Sequence, residues 1–262
     1  MSATVTKKMV IFDIDGTLLG SDKNVSLSTL EALTRLREQG HTLFLATGRS
    51  LFYTKPVIDL LGFENYILCN GAIGFINHLQ KFSNELASED LTSLLDRFSE
   101  LEIDAVLVTL DRLHRVSSFD LAKMKNAMSY VGGDLPPIRK INQSKEQIYQ
   151  VLAFYDQTAD KDIASRFADF DFVRWHEHGV DILPAEGSKA ATISAFAEQL
   201  AFEKKDIISF GDGLNDREML QAAGVGVAMG NASAEVKGCA DLVTDTNDND
   251  GIFKALRRLA LI

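Results

Sequence analysis

Short apolar runs that end on small polar clusters recur along this chain. Met9-Val10-Ile11-Phe12 runs into Asp13-Ile14-Asp15-Gly16-Thr17, and Thr42-Leu43-Phe44-Leu45-Ala46 runs into Thr47-Gly48-Arg49. Ile207-Ile208-Ser209-Phe210 runs in the same way into Gly211-Asp212-Gly213-Leu214-Asn215-Asp216. Unbroken runs of this length, without polar alternation, predict strands covered on both faces of a parallel sheet. Between the first two runs, Leu30, Leu33 and Leu36 form a helical stripe, Ser28-Thr29-Leu30-Glu31 reads as a capping box, and Gly40 supplies the stop. Towards the other end, helices are expected over 188–200, 215–223 and 251–261, with strands over 207–210 and 225–229. Alternating strand and helix predicts a doubly wound α/β sheet.

The middle of the chain breaks this rhythm with elements of its own. Strands are expected over 103–110, 113–117, 148–155, 171–176 and 180–183, with helices over 89–101, 119–130 and 160–168 covering one face. Gly132-Gly133-Asp134-Leu135-Pro136-Pro137 is the strongest breaker cluster, and it reads as a loop within this segment. Treating it as a linker between two sequential domains would separate the first acidic turn from the lysine and second acidic loop that answer to it.

Composition adds limits. A chain of 262 residues is long enough for one core plus a second module. No apolar run approaches the roughly 20 residues that cross a bilayer, and the polar start over 1–8 lacks the apolar stretch of a secretory signal, which makes the cytoplasm the default expectation. A formal net charge of −10 argues against nucleic acid as a partner, because phosphate backbones demand clustered Lys and Arg. Cys69 and Cys239 read as small buried fillers rather than a disulfide or metal site.

The chemistry starts at Asp13 and Asp15, which sit on a tight turn at the carboxyl end of the first strand, where open α/β sheets bind ligands. A calcium loop fails on spacing. With Asp13 as position 1, the positions that need an oxygen ligand, a glycine and a glutamate hold Thr17, Leu18 and Asn24. A hydroxyl at Thr47, a lysine at a helix start in Gly187-Ser188-Lys189, and a second acidic loop are what phosphoryl transfer with magnesium requires. The carboxylates would repel an anionic ester unless a divalent cation offset them, so Mg2+ is a physical requirement of that reading.

In order, Asp13-x-Asp15-Gly16-Thr17, Thr47-Gly48-Arg49, Lys189 and Gly211-Asp212-Gly213-x-Asn215-Asp216 resemble the four motifs of the haloacid dehalogenase-like hydrolases. More narrowly they resemble the Cof-type phosphatases, whose C2B-type cap is inserted between the second and third motifs. Asn70-Gly71-Ala72 and Asp250-Gly251 are secondary matches, and Gly213 stands where many relatives have Asn. The resemblance implies a Rossmann-like core over 1–83 and 185–262 and an inserted α/β cap over 84–184. It implies a phosphatase in which Asp13 is the nucleophile, forming an aspartyl-phosphate, and Asp15 is general acid and then general base. Mg2+ would be held by Asp13, the backbone carbonyl of Asp15 and Asp212, with Asp216 a ligand through water or a supporting partner. Thr47, Gly48, Lys189 and Asn215 would bind phosphate. Asn215 and Asp216 also sit where a helix begins, so capping is an alternative role for both.

The expected substrate is a small soluble phosphate monoester, such as a sugar phosphate or a phosphorylated cofactor or precursor. A phosphotransferase or mutase keeps the same motifs and stays open. A noncatalytic phosphometabolite binder would not need both Asp13 and Asp15. Arg49 and Asn70 in the core, and Arg174, His176 and His178 at the end of a cap strand, are candidate substrate contacts. His176-Glu177-His178 lacks a third partner for zinc, and Trp175 is expected in the cap core. Neither the leaving group nor the oligomeric state is legible.

Overall fold

All four residues of strand β1 (Met9–Phe12) are buried, as a strand covered on both faces requires. The computed structural model describes residues 6–130, 134–139, 141, 145–185 and 187–262. They divide into two units, one comprising the described residues of Met1–Gly48, Pro56–Lys81 and Ser188–Ile262, the other those of Arg49–Lys55 and Phe82–Gly187. After β1 come α1 (Leu27–Glu38), β2 (Thr42–Ala46), α2 (Leu51–Leu61), β3 (Asn65–Leu68), β4 (Ile73–Ile76) and β5 (Leu79–Ser83). The middle of the chain forms α3 (Ser88–Glu100), β6 (Asp104–Val108), β7 (Leu113–Arg115), α4 (Leu121–Tyr130), β8 (Gln150–Phe154), α5 (Asp160–Ala164), β9 (Phe170–His176) and β10 (Gly179–Pro184). The chain then returns through α6 (Lys189–Gln199), β11 (Ile207–Gly211), α7 (Arg217–Ala222), β12 (Val225–Ala228), α8 (Ala234–Lys237), β13 (Leu242–Val243) and α9 (Gly251–Arg258).

The first unit is built on a sheet in the order β13-β12-β11-β1-β2-β3-β4-β5. From β13 to β3 every pairing is parallel, the doubly wound arrangement expected from the sequence. β4 then returns antiparallel on β3. Asn77 and His78, both at positive φ (50° and 59°), link β4 to β5, the conformation of a two-residue type I′ hairpin turn. Successive strands run outward from β1 in one direction and from β11 in the other. The junction of these two central strands is therefore the point where strand order reverses, and ligand crevices in such sheets open there.

Two local expectations need correcting. Helix α1 is capped by Ser26, not by the box beginning at Ser28. Ser26 is extended (φ −69°, ψ 153°) and its hydroxyl accepts from Thr29 N. Ser28 lies within the helix and donates instead to Asp250 Oδ1. The earlier start puts Thr29, Ala32, Leu33 and Leu36 on the buried face and leaves Leu30 exposed. The helix expected over 215–223 is a 3₁₀ turn, Leu214–Asp216, followed by α7.

In the second unit, an antiparallel sheet runs β7-β6-β8-β10-β9. Its five strands lie where they were expected, with ends shifted by a few residues, while α5 stops well short of 168. Ala105 and Leu107 of β6, Val151 and Ala153 of β8, and Val180 and Ile182 of β10 recur at period two, and they pack with Leu91, Leu94 and Phe98 of α3 and Ile163 of α5. Trp175 is only partly buried, its ring lying where a side chain at Gly179 would fall. Of the breaker cluster, Gly132 and Gly133 lie outside the described residues, and Asp134–Pro137 is irregular. Both cysteines are free thiols; Cys69 is buried and Cys239 partly exposed, which corrects the expectation of a second buried filler.

Candidate active site

The end of β1 and the end of β11 bring the two acidic segments side by side. Asp13 extends the parallel ladder by donating its N–H to Phe210 O, and its side chain is buried beside Lys189. Lys189 is the first residue of α6, placed there by the N-cap Ser188, whose hydroxyl accepts from Ala191 N. Its Nζ lies 2.6 Å from Asp13 Oδ1 and 2.6 Å from Asp216 Oδ1, and the side chain is 1% exposed. An ammonium so deeply buried is tolerable only with such partners. Burial opposes its charge, but Asp13 and Asp216 more than reverse that and hold it above the usual lysine range.

Asp216 joins this ion pair to the second loop. Its Oδ2 accepts from Asp212 N and Gly213 N, each at 2.9 Å, so the carboxylate organises its own loop while its other oxygen holds Lys189. At the helix start itself, where capping was the alternative role, Asp216 makes no side-chain cap bond to α7. A Cβ on Gly211 would lie 2.6 Å from Asp216 Cβ, so only glycine lets the loop close over it.

Asp212 completes the cluster. Its Oδ1 accepts from Thr17 Oγ1 at 2.9 Å, and its Oδ2 accepts from Asn231 Nδ2 at 3.1 Å. Burial pushes its carboxyl up to about 6, with the Thr17 hydrogen bond opposing and the charge of Asp216 adding. Burial, reinforced by Asp216, likewise holds Asp13 well above the ordinary carboxylate range despite Lys189. The concentration of negative charge is therefore only partly relieved by one lysine. Asp13, Asp212 and Asp216 each offer an oxygen within 4.8 Å of the others, and hard anionic oxygens at this spacing suit Mg2+.

Asp15 points elsewhere. Its side chain is 42% exposed and accepts from Lys23 Nζ at 3.1 Å, so it reaches solvent from the same turn that buries Asp13. Behind the turn, Thr47 N donates to Ile67 O and Thr47 O accepts from Asn70 N. Asn215 Nδ2 donates to Asn70 Oδ1 at 2.8 Å, which joins two residues that the sequence left unconnected. Cys69 and Asn70 occupy the left-handed region (φ 49° and 53°), a conformation costly for such residues and concentrated at functional sites. Gly48 lies close beside them, a Cβ there falling 2.9 Å from Asn70 Oδ1.

Thus Asp13, Lys189, Asp212 and Asp216 form one contiguous cluster, with Thr17 attached to it, while Asn70 and Asn215 form a second pair next to Thr47 and Gly48. Arg49 begins the Arg49–Lys55 segment of the second unit. Arg174, His176 and His178 also lie in that unit, at the β9–β10 turn. Arg174 forks onto Asp160, donates from one nitrogen to the carbonyls of Tyr155, His176 and Glu177, and lies over the Tyr155 ring. The Nδ1 atom of His178 sits 2.7 Å from Asp156 Oδ1. Lys23 and Asn231 were missed from the sequence. Asn231 lies just beyond β12, whose carboxyl end is beside that of β11 in the parallel sheet.

The family profile of the haloacid dehalogenase-like hydrolases matches residues 10–256. The chain is 37% identical to YkrA of Bacillus subtilis over 255 residues, 97% of this chain and 98% of that one. It is 28% identical to the pyridoxal phosphate phosphatase YbhA of Escherichia coli over 263 residues, 95% of this chain and 97% of the other. Among solved structures, the subclass IIB sugar phosphatase BT4131 superposes with a TM-score of 0.86 at 26% identity, over 98% of this chain and 100% of that one.

Proposed function

This chain belongs to the haloacid dehalogenase-like hydrolases and is a phosphoric monoester hydrolase, and from that premise we propose that it is a magnesium-dependent phosphatase working through an aspartyl-phosphate. The observation that carries the proposal is the buried Lys189 ammonium held between Asp13 and Asp216, with Asp212 beside them at the strand-order reversal. Asp13 attacks phosphorus as the ester P–O bond breaks, and Asp15 gives its proton to the departing alcohol. Asp15 then takes a proton from water, which attacks the same phosphorus, releasing inorganic phosphate and restoring the Asp13 carboxylate. The solvent access of Asp15 suits a group that must meet both alcohol and water, and the burial of Asp13 suits a nucleophile shielded from them.

Lys189 neutralises charge on the phosphoryl group and orients Asp13, while Thr47, Gly48 and Asn215 take its oxygens. Asn70 fits a supporting role here, holding the Asn215 amide. Asp13 and Asp212 side chains, with the Asp15 carbonyl, would hold Mg2+, Asp216 serving through water or as a supporting partner; the ion when bound offsets the carboxylates and polarises the phosphoryl group.

Small phosphate esters are the substrate class, with sugar phosphates and phosphorylated cofactors foremost, a choice supported by the activities named for YbhA and BT4131. Residues 84–184 would act as the inserted cap that reads the leaving group. Within it, Arg174, His176 and His178 remain the candidate readers, all three with partners inside the segment. The net charge of −10 speaks against nucleic acid, no described helix is long and apolar enough to cross a membrane, and the cytoplasm is the proposed location. A panel of phosphate esters assayed with Mg2+ and with chelator tests the reading. Turnover of sugar or cofactor phosphates only with the metal is the expected result; equal turnover in chelator would overturn it.

A further inference from the structure

Asp212 is held from both sides, and the two holders differ in kind. Thr17 on the Oδ1 side comes from the first acidic turn itself. On the Oδ2 side stands Asn231, which no motif discussed above includes. Its Nδ2 donates to Asp212 Oδ2 at 3.1 Å and to Gly16 O at 2.9 Å, and its Oδ1 accepts from Asn247 N at 3.1 Å. The amide orientation follows from partner chemistry: the two oxygens accept only, and the backbone N–H donates only. A single amide therefore ties the turn after β1, the loop after β11 and the approach to α9 to one point.

The close packing at that point leaves no slack. Gly16 has φ +76°, and a Cβ there would fall 2.1 Å from Asp212 Oδ2. The Asp212 carboxylate thus occupies the space a side chain at position 16 would fill, and its two oxygens are held by Thr17 and Asn231. Without Asn231, Oδ2 would lose its side-chain donor while Thr17 alone held the carboxylate through Oδ1. Groups that orient a ligating carboxylate are worth roughly 10–100-fold in metal affinity.

We propose that Asn231 is a positioning residue for Mg2+: it presets the Asp212 carboxylate against the Gly16 turn so that the ion meets a preformed oxygen set. This rests on the phosphatase reading above, and it makes the affinity for the ion, not the chemical step, depend on Asn231. Asn247 supplies the control, because its own side chain donates to Leu19 O and touches neither Asp212 nor Gly16.

The test is Mg2+ binding to the full-length protein by calorimetry, with no substrate present, for the parent, Asn231→Ala and Asn247→Ala. The expected result is a Kd about tenfold or more higher in Asn231→Ala, with the Kd of Asn247→Ala unchanged. A Kd within about twofold of the parent's in Asn231→Ala overturns the proposal, as does an equal loss in Asn247→Ala, which would assign the effect to loop packing. Should Asn231→Ala not fold, Asn231→Ser, too short to bridge both acceptors, is read by the same criteria. A parent that binds no Mg2+ defeats the metal-dependent reading itself, and this inference with it.

Discussion

Lys189 shows how much one side chain can decide. Its sequence position, two residues past Gly187 at a helix start, favours a site residue over a plain helix-surface lysine. What distinguishes the two is burial between Asp13 and Asp216, and that comes from strands far apart in sequence. Removing one partner of a buried ion pair leaves the other charge unpaired, at a cost of about 3–5 kcal/mol. Lys189→Met is accordingly expected to lower unfolding free energy by about that amount and to abolish turnover, read by denaturant titration and by assay. A loss of turnover with stability unchanged would mean that the carboxylates relax without their counterion. At the same scale, Asp13, Asp15, Asp212 and Thr47 could be picked out because each ends an apolar run. Asn231 could not, because an asparagine after a glycine is first of all a turn residue.

Among the elements, those with apolar runs or a helical stripe were legible, and those defined by a few backbone angles were not. The β4–β5 hairpin turns on Asn77-His78, and a histidine at positive φ gives none of the glycine signal that usually announces a type I′ turn. The start of α1 was misplaced for a related reason: Ser26 and Ser28 are both capping residues by type, and only backbone conformation separates them. Ser26→Ala is expected to cost about 1 kcal/mol, whereas Ser28→Ala stays within about 0.5 kcal/mol. Thermal unfolding of the two variants checks this, and equal losses would place the cap at Ser28 after all. In the second unit, the five strands were readable from the sequence, while the commitment of Arg174 to Asp160 was not, since nothing local pairs residues 14 apart.

For the whole molecule, the carboxylate cluster trades stability for function. Asp212 is raised to about 6 from an ordinary value of 3.8, burial being the main cause. A carboxyl raised in the folded state favours folding fully below 3.8, and this contribution is lost as pH climbs through about 6. The metal-free protein should therefore lose stability from this site between roughly pH 4 and 6. Mg2+ should raise Tm clearly at pH 7 and far less at pH 5, where protons compete for the same oxygens. A Tm shift of the same size at both values would show that the ion binds elsewhere. Asp212→Asn should flatten the pH response and remove most of the Mg2+ shift.

The central claim is that Asp13 carries the phosphoryl group, and trapping it is the most direct measurement. The protein would be mixed with an activated aryl phosphate and Mg2+, quenched in acid within one turnover, and the Asp13 peptide weighed by mass spectrometry. A phosphoryl adduct on Asp13, absent in chelator and accompanied by loss of turnover in a folded Asp13→Asn, is the predicted result. Parent-like turnover by Asp13→Asn, or an adduct on any other residue, would contradict the account.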